Sequence, residues 1–362
     1  MARKAVTIRD VAQAAQVSPA TVSNVFGGRK PVAAPLAERV RVAAGALGYQ
    51  ADRAASLLRS GRSRVIAILV PDLDNPFYTA VISCVEDHAR RDGYEVFVAS
   101  SRENIANETS RLSTLLAWRL AGVVMISTSD RFPGRKLLDQ AGTPYVLADR
   151  PTNRMTADTI TTDGTEAGAI GAAHLAELGH RNLLVAASTL KIGNMRERCA
   201  GAVERFRAQG GTAEVVELGL GFDQALATLR RWLDRHPCPS AVLALTNFTT
   251  LGVLAALGER GMLVPEEVSV IGFDDYAWMR ARVTPLTAIR QPVDDMGRLI
   301  WERLSARIGG DHSDPVRVNL PCELMVRAST SRGKPAAPSA ARPPVQARAG
   351  LTGRINGHVP SG

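Results

Sequence analysis

From Val65 onward the chain repeats one pattern, and that pattern restricts the fold more than any other feature. Val65-Ile66-Ala67-Ile68-Leu69-Val70 is an unbroken apolar run with no polar alternation. Such runs suit strands buried on both faces, as in parallel sheets covered by helices. Further strand candidates are Glu95–Ala99, Gly122–Ile126, Tyr145–Leu147, Leu183–Ala187, Ala241–Leu245 and Val268–Gly272. Amphipathic helix candidates alternate with them at Tyr78–Asp92, Glu108–Ala117, Glu166–Leu178, Met195–Ala208, Phe222–Arg235 and Thr249–Arg260. The alternation predicts an α/β fold with two parallel sheets.

Residues 1–48 carry helical patterns split by short polar turns and no strand-like run. Thr7 followed by Asp10 is a capping-box start for a first helix, with Ile8, Val11, Ala12 and Ala15 on one face. Val17 plugs the following turn, Ser18 suits an N-cap and Pro19 the first position of a second helix. Val22, Val25 and Phe26 supply its buried face, and a third helix over Pro35–Ala44 closes a small core. Small residues at the contact let the helices cross closely, which is helix-turn-helix geometry. Pro19, Ala20, Thr21, Ser23 and Asn24 then face outward. Asn24 can pair with an adenine edge and Ala20 can meet a thymine methyl. Ser18, Thr21 and Ser23 suit phosphates.

Charge agrees with a nucleic-acid partner at this end. The net charge is +9, and residues 1–62 hold ten Lys/Arg against three Asp/Glu. Residues 333–362 add Lys334, Arg342, Arg348 and Arg354 without an acid, in a Pro- and Ala-rich stretch that reads as a disordered tail. Residues 63–332 are close to neutral, so the excess lies where phosphates would be met.

Other classes find little support. No apolar stretch is long enough for a bilayer, and the N-terminus lacks a secretion signal, so a cytoplasmic protein is expected. Cys84, Cys199, Cys238 and Cys322 lie far apart and suggest neither disulfides nor zinc. GxSxG, HExxH and GxxxxGK[ST] motifs are missing, and six histidines are scattered without metal spacing. No catalytic residue, metal or cofactor is therefore expected. Asp72-Leu73-Asp74-Asn75-Pro76, after the first strand, is acidic where an enzyme binding a dinucleotide would have glycines.

Several segments, in order, resemble the lactose-repressor (LacI/GalR) family: IRDVAQAAQVSPATVSNVF, LGYQADRAASLLRSGRS, VPDLDNPFYTAVISCVEDHARRDGYEV, VLADRP, HLAELGHRN, RERCAGAVERF, GMLVPEEVSVIGFDD and TPLTAIRQPVDDMG. The likeness runs from about residue 7 to 332. It implies an all-α helix-turn-helix head (1–50), a hinge helix (51–62) and a periplasmic-binding-protein-like core of two Rossmann-like subdomains joined by three crossovers. The subdomains would be 63–161 with 291–320, and 162–290 with 321–332. In the family the hinge folds on operator DNA as a pair of helices from two subunits. By resemblance, Leu58 wedges into the minor groove with Ala55 beside it.

The chain departs from the family at Ala51-Asp52, where Pro-Asn is usual, and at Ser56, near a usual arginine. Gln16 replaces the turn glycine, and Ala33 replaces the Ser or Thr that caps the third helix. In the core, Phe77 and Tyr78 would offer flat faces to a ligand. Arg198 matches an arginine that grips ligand hydroxyls or carboxylates, Asp274 an aspartate that accepts hydroxyl hydrogen bonds, and Asp149 lies near the crossover. Thr246-Asn247-Phe248-Thr249-Thr250 replaces a commoner Asn-Asp pocket sequence, so Asn247 joins the set with altered chemistry, and Trp278 could add a stacking face. The resemblance implies a repressor that binds near-palindromic operator DNA as a homodimer and answers a sugar or sugar acid. A tetramer stays open, although the tail lacks leucine heptads. A solute-binding protein of the same core fold is the alternative, against which the basic head and missing signal weigh.

Overall fold

The computed structural model describes residues 6–27, 30–49, 63–152 and 155–333. Three helices form the head: α1 (Ile8–Ala14), α2 (Pro19–Gly27) and α3 (Ala34–Leu47). Thr7 and Asp10 close the capping box of α1, Thr7 donating its N–H and its hydroxyl to the Asp10 carboxylate at 2.7 Å. Ser18 Oγ accepts the Thr21 N–H at 3.1 Å and so starts α2. Between them Gln16 stands at φ +55°, the left-handed backbone for which the family's glycine is suited. Arg39 of α3 donates to the Ala15 carbonyl at 2.9 Å, tying the third helix to that turn.

Val11, Ala12, Ala15, Val22, Val40 and Ala44 form the core of the head, with Val17 and Val25 packed against it. Phe26 corrects the sequence reading. It is 42% exposed and leans on Tyr49 at a centroid distance of 5.8 Å, because the small core is already filled by valines and alanines. Ala33 makes no side-chain cap at α3, as its methyl dictates, and Pro35 sits in the first turn instead.

The chain then builds β1 (Val65–Val70), α4 (Pro76–Arg91), β2 (Glu95–Ser100), α5 (Ile105–Leu116), β3 (Gly122–Met125), α6 (Arg135–Ala141), β4 (Tyr145–Ala148) and β5 (Thr159–Thr162). A second series follows: α7 (Gly164–Glu177), β6 (Asn182–Ala187), α8 (Gly193–Ala208), β7 (Thr212–Glu217), α9 (Phe222–Leu233), β8 (Ala241–Ala244), α10 (Asn247–Glu259), β9 (Ser269–Phe273), α11 (Ala277–Arg280) and β10 (Thr287–Arg290). Then α12 (Val293–Ile308) and β11 (Arg317–Leu320) return to the first lobe, and β12 (Glu323–Met325) closes the second.

The strand orders are β11-β5-β4-β3-β1-β2 and β12-β10-β9-β8-β6-β7. Every pairing is parallel except β10 with β12. Alternation within β1 shows why these sheets are covered on both sides: Ile66, Ile68 and Val70 pack with Val81 and Val85 of α4 and Ile300 of α12. Ala67 and Leu69 point the other way, toward Leu112 of α5 and Leu138 of α6. The order reverses at β1, between β2 and β3, and again at β6, between β7 and β8. Crevices at the carboxyl ends of strands form at such switch points. Gly333, at the start of the expected tail, donates its N–H to the Leu178 carbonyl at 2.8 Å, and the rest of that tail lies outside the described residues.

Candidate functional site

The head presents the N-terminal face of α2. Ser18, Pro19 and Ala20 are exposed, and Thr21, Ser23 and Asn24 are half-buried beside them. The Ser18 and Thr21 hydroxyls are 2.9 Å apart. Arg9, Lys30 and Arg41 are exposed around the same small domain. An open helix start with short polar side chains and nearby cations matches the needs of a major-groove reader. Ala55, Leu58 and the hinge lie outside the described residues.

The second surface is a cleft between the lobes, built from loops after strands of both sheets. Phe77, Tyr78, Asp149, Arg198 and Asp274 all line it. Asn75 caps α4 by accepting the Phe77 N–H at 3.1 Å, which plants both aromatic rings at the cleft. Tyr78 turns its hydroxyl toward Asp149 Oδ2 at 3.4 Å and receives Arg150 Nη2 at 3.0 Å. Burial pushes the Tyr78 hydroxyl pKa far up, so it remains protonated. Arg150 is otherwise spent on Glu103, donating to both carboxylate oxygens at 2.8 and 2.5 Å. Asp149 holds φ +59° just past β4 and accepts Asn194 Nδ2 from the opposite lobe at 3.2 Å.

The facing wall is an arginine–glutamine–aspartate array. Arg198 lies over the Phe273 ring at 4.0 Å and donates to the Leu245 carbonyl and to Gln291 Oε1, each at 3.1 Å. Its Nε is buried and has no hydrogen-bond partner among the described residues. Gln291 donates its Nε2 to Asp274 Oδ1 at 2.6 Å, so one amide fixes both charged groups. Burial pushes the Asp274 carboxyl up to about 6, against the pull of Arg198. Phe248, Leu220, Ile192 and Met195 supply apolar lining, and the space between the walls is about 60 Å³. Ligand sites usually hold about 300–1,000 Å³, so these lobes stand nearly closed.

Two sequence expectations do not fit this cleft. Asn247 is buried but lies off the lining, which takes its neighbours Thr246 and Phe248. The reason is that Asn247 opens α10, where successive side chains point about 100° apart. Trp278 packs against the core of the second lobe instead of the cleft. Conversely, Gln291, Asn194, Arg150 and Glu103 were not singled out from sequence. Gln291 and Arg150 do lie inside segments that carry the family likeness, TPLTAIRQP and VLADRP.

A helix-turn-helix head joined to a two-lobed core with a polar interlobe cleft defines a DNA-binding regulator. Comparisons with known proteins agree. Residues 7–52 match the family described as bacterial regulatory proteins, lacI family, and residues 172–330 match a periplasmic binding protein-like domain. The chain is 31% identical over 331 residues to the HTH-type transcriptional regulator PtxS of Pseudomonas putida, covering 91% of this chain and 97% of that one. It is 32% identical over 338 residues to the HTH-type transcriptional regulator CelR of Thermobifida fusca, covering 90% and 99%. Among solved structures, a lac repressor dimer bound to operator and the anti-inducer ONPF superposes with a TM-score of 0.79 at 25% identity, covering 91% and 100%. A CelR–cellobiose complex gives 0.68 at 31% identity, covering 90% and 99%. The chain belongs to the lacI family of bacterial regulatory proteins and is a DNA-binding transcriptional regulator.

Proposed function

We propose that this regulator is a repressor, active in the cytoplasm as a homodimer, whose grip on a near-palindromic operator is set by an uncharged, hydroxyl-rich ligand in the interlobe cleft. The observation that carries the reading is the Arg198–Gln291–Asp274 array, in which Gln291 joins a guanidinium, whose Nε has no partner among the described residues, to a carboxylate acceptor. Sugar hydroxyls both donate and accept, so they satisfy such a wall from both sides. The relative solved in complex with cellobiose and the repressor dimer crystallised on its operator support the sugar and the dimer, respectively. In the head, Asn24 and Ala20 read bases while Ser18, Pro19, Thr21 and Ser23 fix the docking.

Charge favours a neutral sugar over a sugar acid. The lining holds Asp72, Glu103, Asp149 and Asp274 against Arg150 and Arg198. Arg150 is charge-paired with Glu103, which leaves Arg198, bonded only to neutral oxygens, to face the remaining acids. A ligand carboxylate would add negative charge where it is already in excess and poorly screened. Calorimetric titration of the full chain with matched pairs, such as glucose against gluconate and glucuronate, tests this. At least one neutral member should bind at least tenfold more tightly than its acid partners. Tighter binding of the acids would overturn the charge argument, and binding of no sugar at all would overturn the sugar reading.

A further inference from the structure

Helix α8 brings Arg198 to the cleft, yet it lacks a cap of its own. Its N-cap residue is Ile192, which has no side-chain acceptor for the amides of the first turn. Helix starts leave such amides unpaired unless something else receives them. Here the acceptor comes from the other lobe. Asp130, in the loop after β3, accepts the Gly193 N–H through Oδ1 at 3.0 Å. Its other oxygen receives Arg196, whose Nη1 is held by the Leu190 carbonyl at 2.9 Å. The Asp130 side chain is only 14% exposed while Arg196 is half exposed, so the carboxylate end of the pair is the shielded one. The same helical turn makes a second bond across the gap, Asn194 to Asp149. Pro151 of the first lobe closes on Gly193, where a Cβ would come within 3.1 Å of its ring.

We propose that Asp130 is a positioning residue that clasps the lobes together by capping α8 across the cleft, and so sets effector affinity without touching the effector. Asp130 is not among the residues that line the cleft. It acts on the balance between open and closed lobes, and a ligand that needs the closed lobes binds in proportion to their population. The consequence for effector affinity rests on the proposed ligand cleft, but the clasp itself does not.

The test therefore uses the effector-free full chain. Amide exchange over residues 192–198 and the radius of gyration from solution scattering are compared for the parent, Asp130→Ala, Asp130→Asn and Arg196→Gln. Asp130→Ala should speed exchange at 193–196 several-fold and raise the radius of gyration beyond the spread of repeat preparations. Exchange in the second-lobe core strand 182–187 should stay as in the parent, which shows that the fold is intact. Asp130→Asn retains an acceptor for the Gly193 amide and should restore most of both signals. Arg196→Gln, which keeps the cap, should fall between. Faster exchange with an unchanged radius would reduce Asp130 to a local cap and overturn the clasp, as would no change in either.

Discussion

At the scale of single residues, the cleft depends on groups whose chemistry cannot be exchanged for a nominally similar one. Arg198 stacks on Phe273 and donates in two directions from a planar fork. A lysine offers neither the plane nor the fork. Arg198→Lys should cost about 2 kcal/mol of effector binding, near thirty-fold in Kd, by calorimetry, with little change in operator affinity without effector. Asp274 provides a pH test. Its carboxyl is raised to about 6 from 3.8, mainly by burial, so the folded chain binds the extra proton before the unfolded chain does. Stability attributable to this group therefore falls as pH rises from about 4 to 6 and is flat above. Effector affinity should run the other way, declining as pH drops through 6 and the acceptor oxygen is protonated. Asp274→Asn should flatten that pH dependence; an unaltered profile would remove Asp274 from the site. Arg198 and Asp274 were legible in the sequence because they lie in segments that carry the family likeness. Gln291, which links them, also lies in such a segment, but the likeness assigned it no role, and a lone glutamine has no periodicity or partner spacing to mark it.

At the scale of elements, the α7–α8 pair decides where Arg198 sits. The helices meet at reciprocal glycines: a Cβ on Gly168 would lie 1.9 Å from the Arg198 carbonyl oxygen, and one on Gly201 1.9 Å from the Thr165 carbonyl oxygen. Backbone stands in both places, so α8 must shift to admit a methyl group. Gly201→Ala should destabilise the chain by about 1–3 kcal/mol despite alanine's better helix propensity. A lower urea midpoint, together with weaker effector binding, checks it; unchanged values of both would deny the close crossing.

Elements were readable where burial imposes a clean pattern. β1 lies at Val65–Val70 as its apolar run predicts, whereas the starts of α4, α5, α7, α8 and α10 fall two or three residues before the apolar periodicity begins. Those first turns are set by caps such as Asn75, Asn104, Asp163 and Thr246, which carry no hydrophobic signal. The strands that escaped notice have weak patterns for physical reasons. β7 is an edge with half its residues turned to solvent, β5 and β10 read Thr-Ile-Thr-Thr and Thr-Ala-Ile-Arg, too short and polar for an apolar run, and β11 and β12 are short edges. Phe26 failed as a core residue because helical spacing shows which face a side chain shares, not whether the core has room for it.

At the scale of the whole molecule, two units of opposite character are joined in one chain: a basic reader of phosphates and a nearly neutral, two-lobed sensor. Ligand control requires that the cleft bind its effector differently in the two operator-affinity states, since a ligand with equal affinity for both shifts nothing. The small space between the walls, and the bonds from Asp130 and Asp149 to the first turn of α8, make lobe opening and closing the natural coordinate for that difference. The most direct measurement is selection of bound duplexes from a random pool by the purified full chain, at low and physiological salt, with and without each neutral sugar. The account predicts a roughly palindromic site whose enrichment changes with one sugar and whose affinity falls steeply with salt. Failure to enrich any symmetric site at low salt, or enrichment of one that no ligand of the cleft alters, would contradict it.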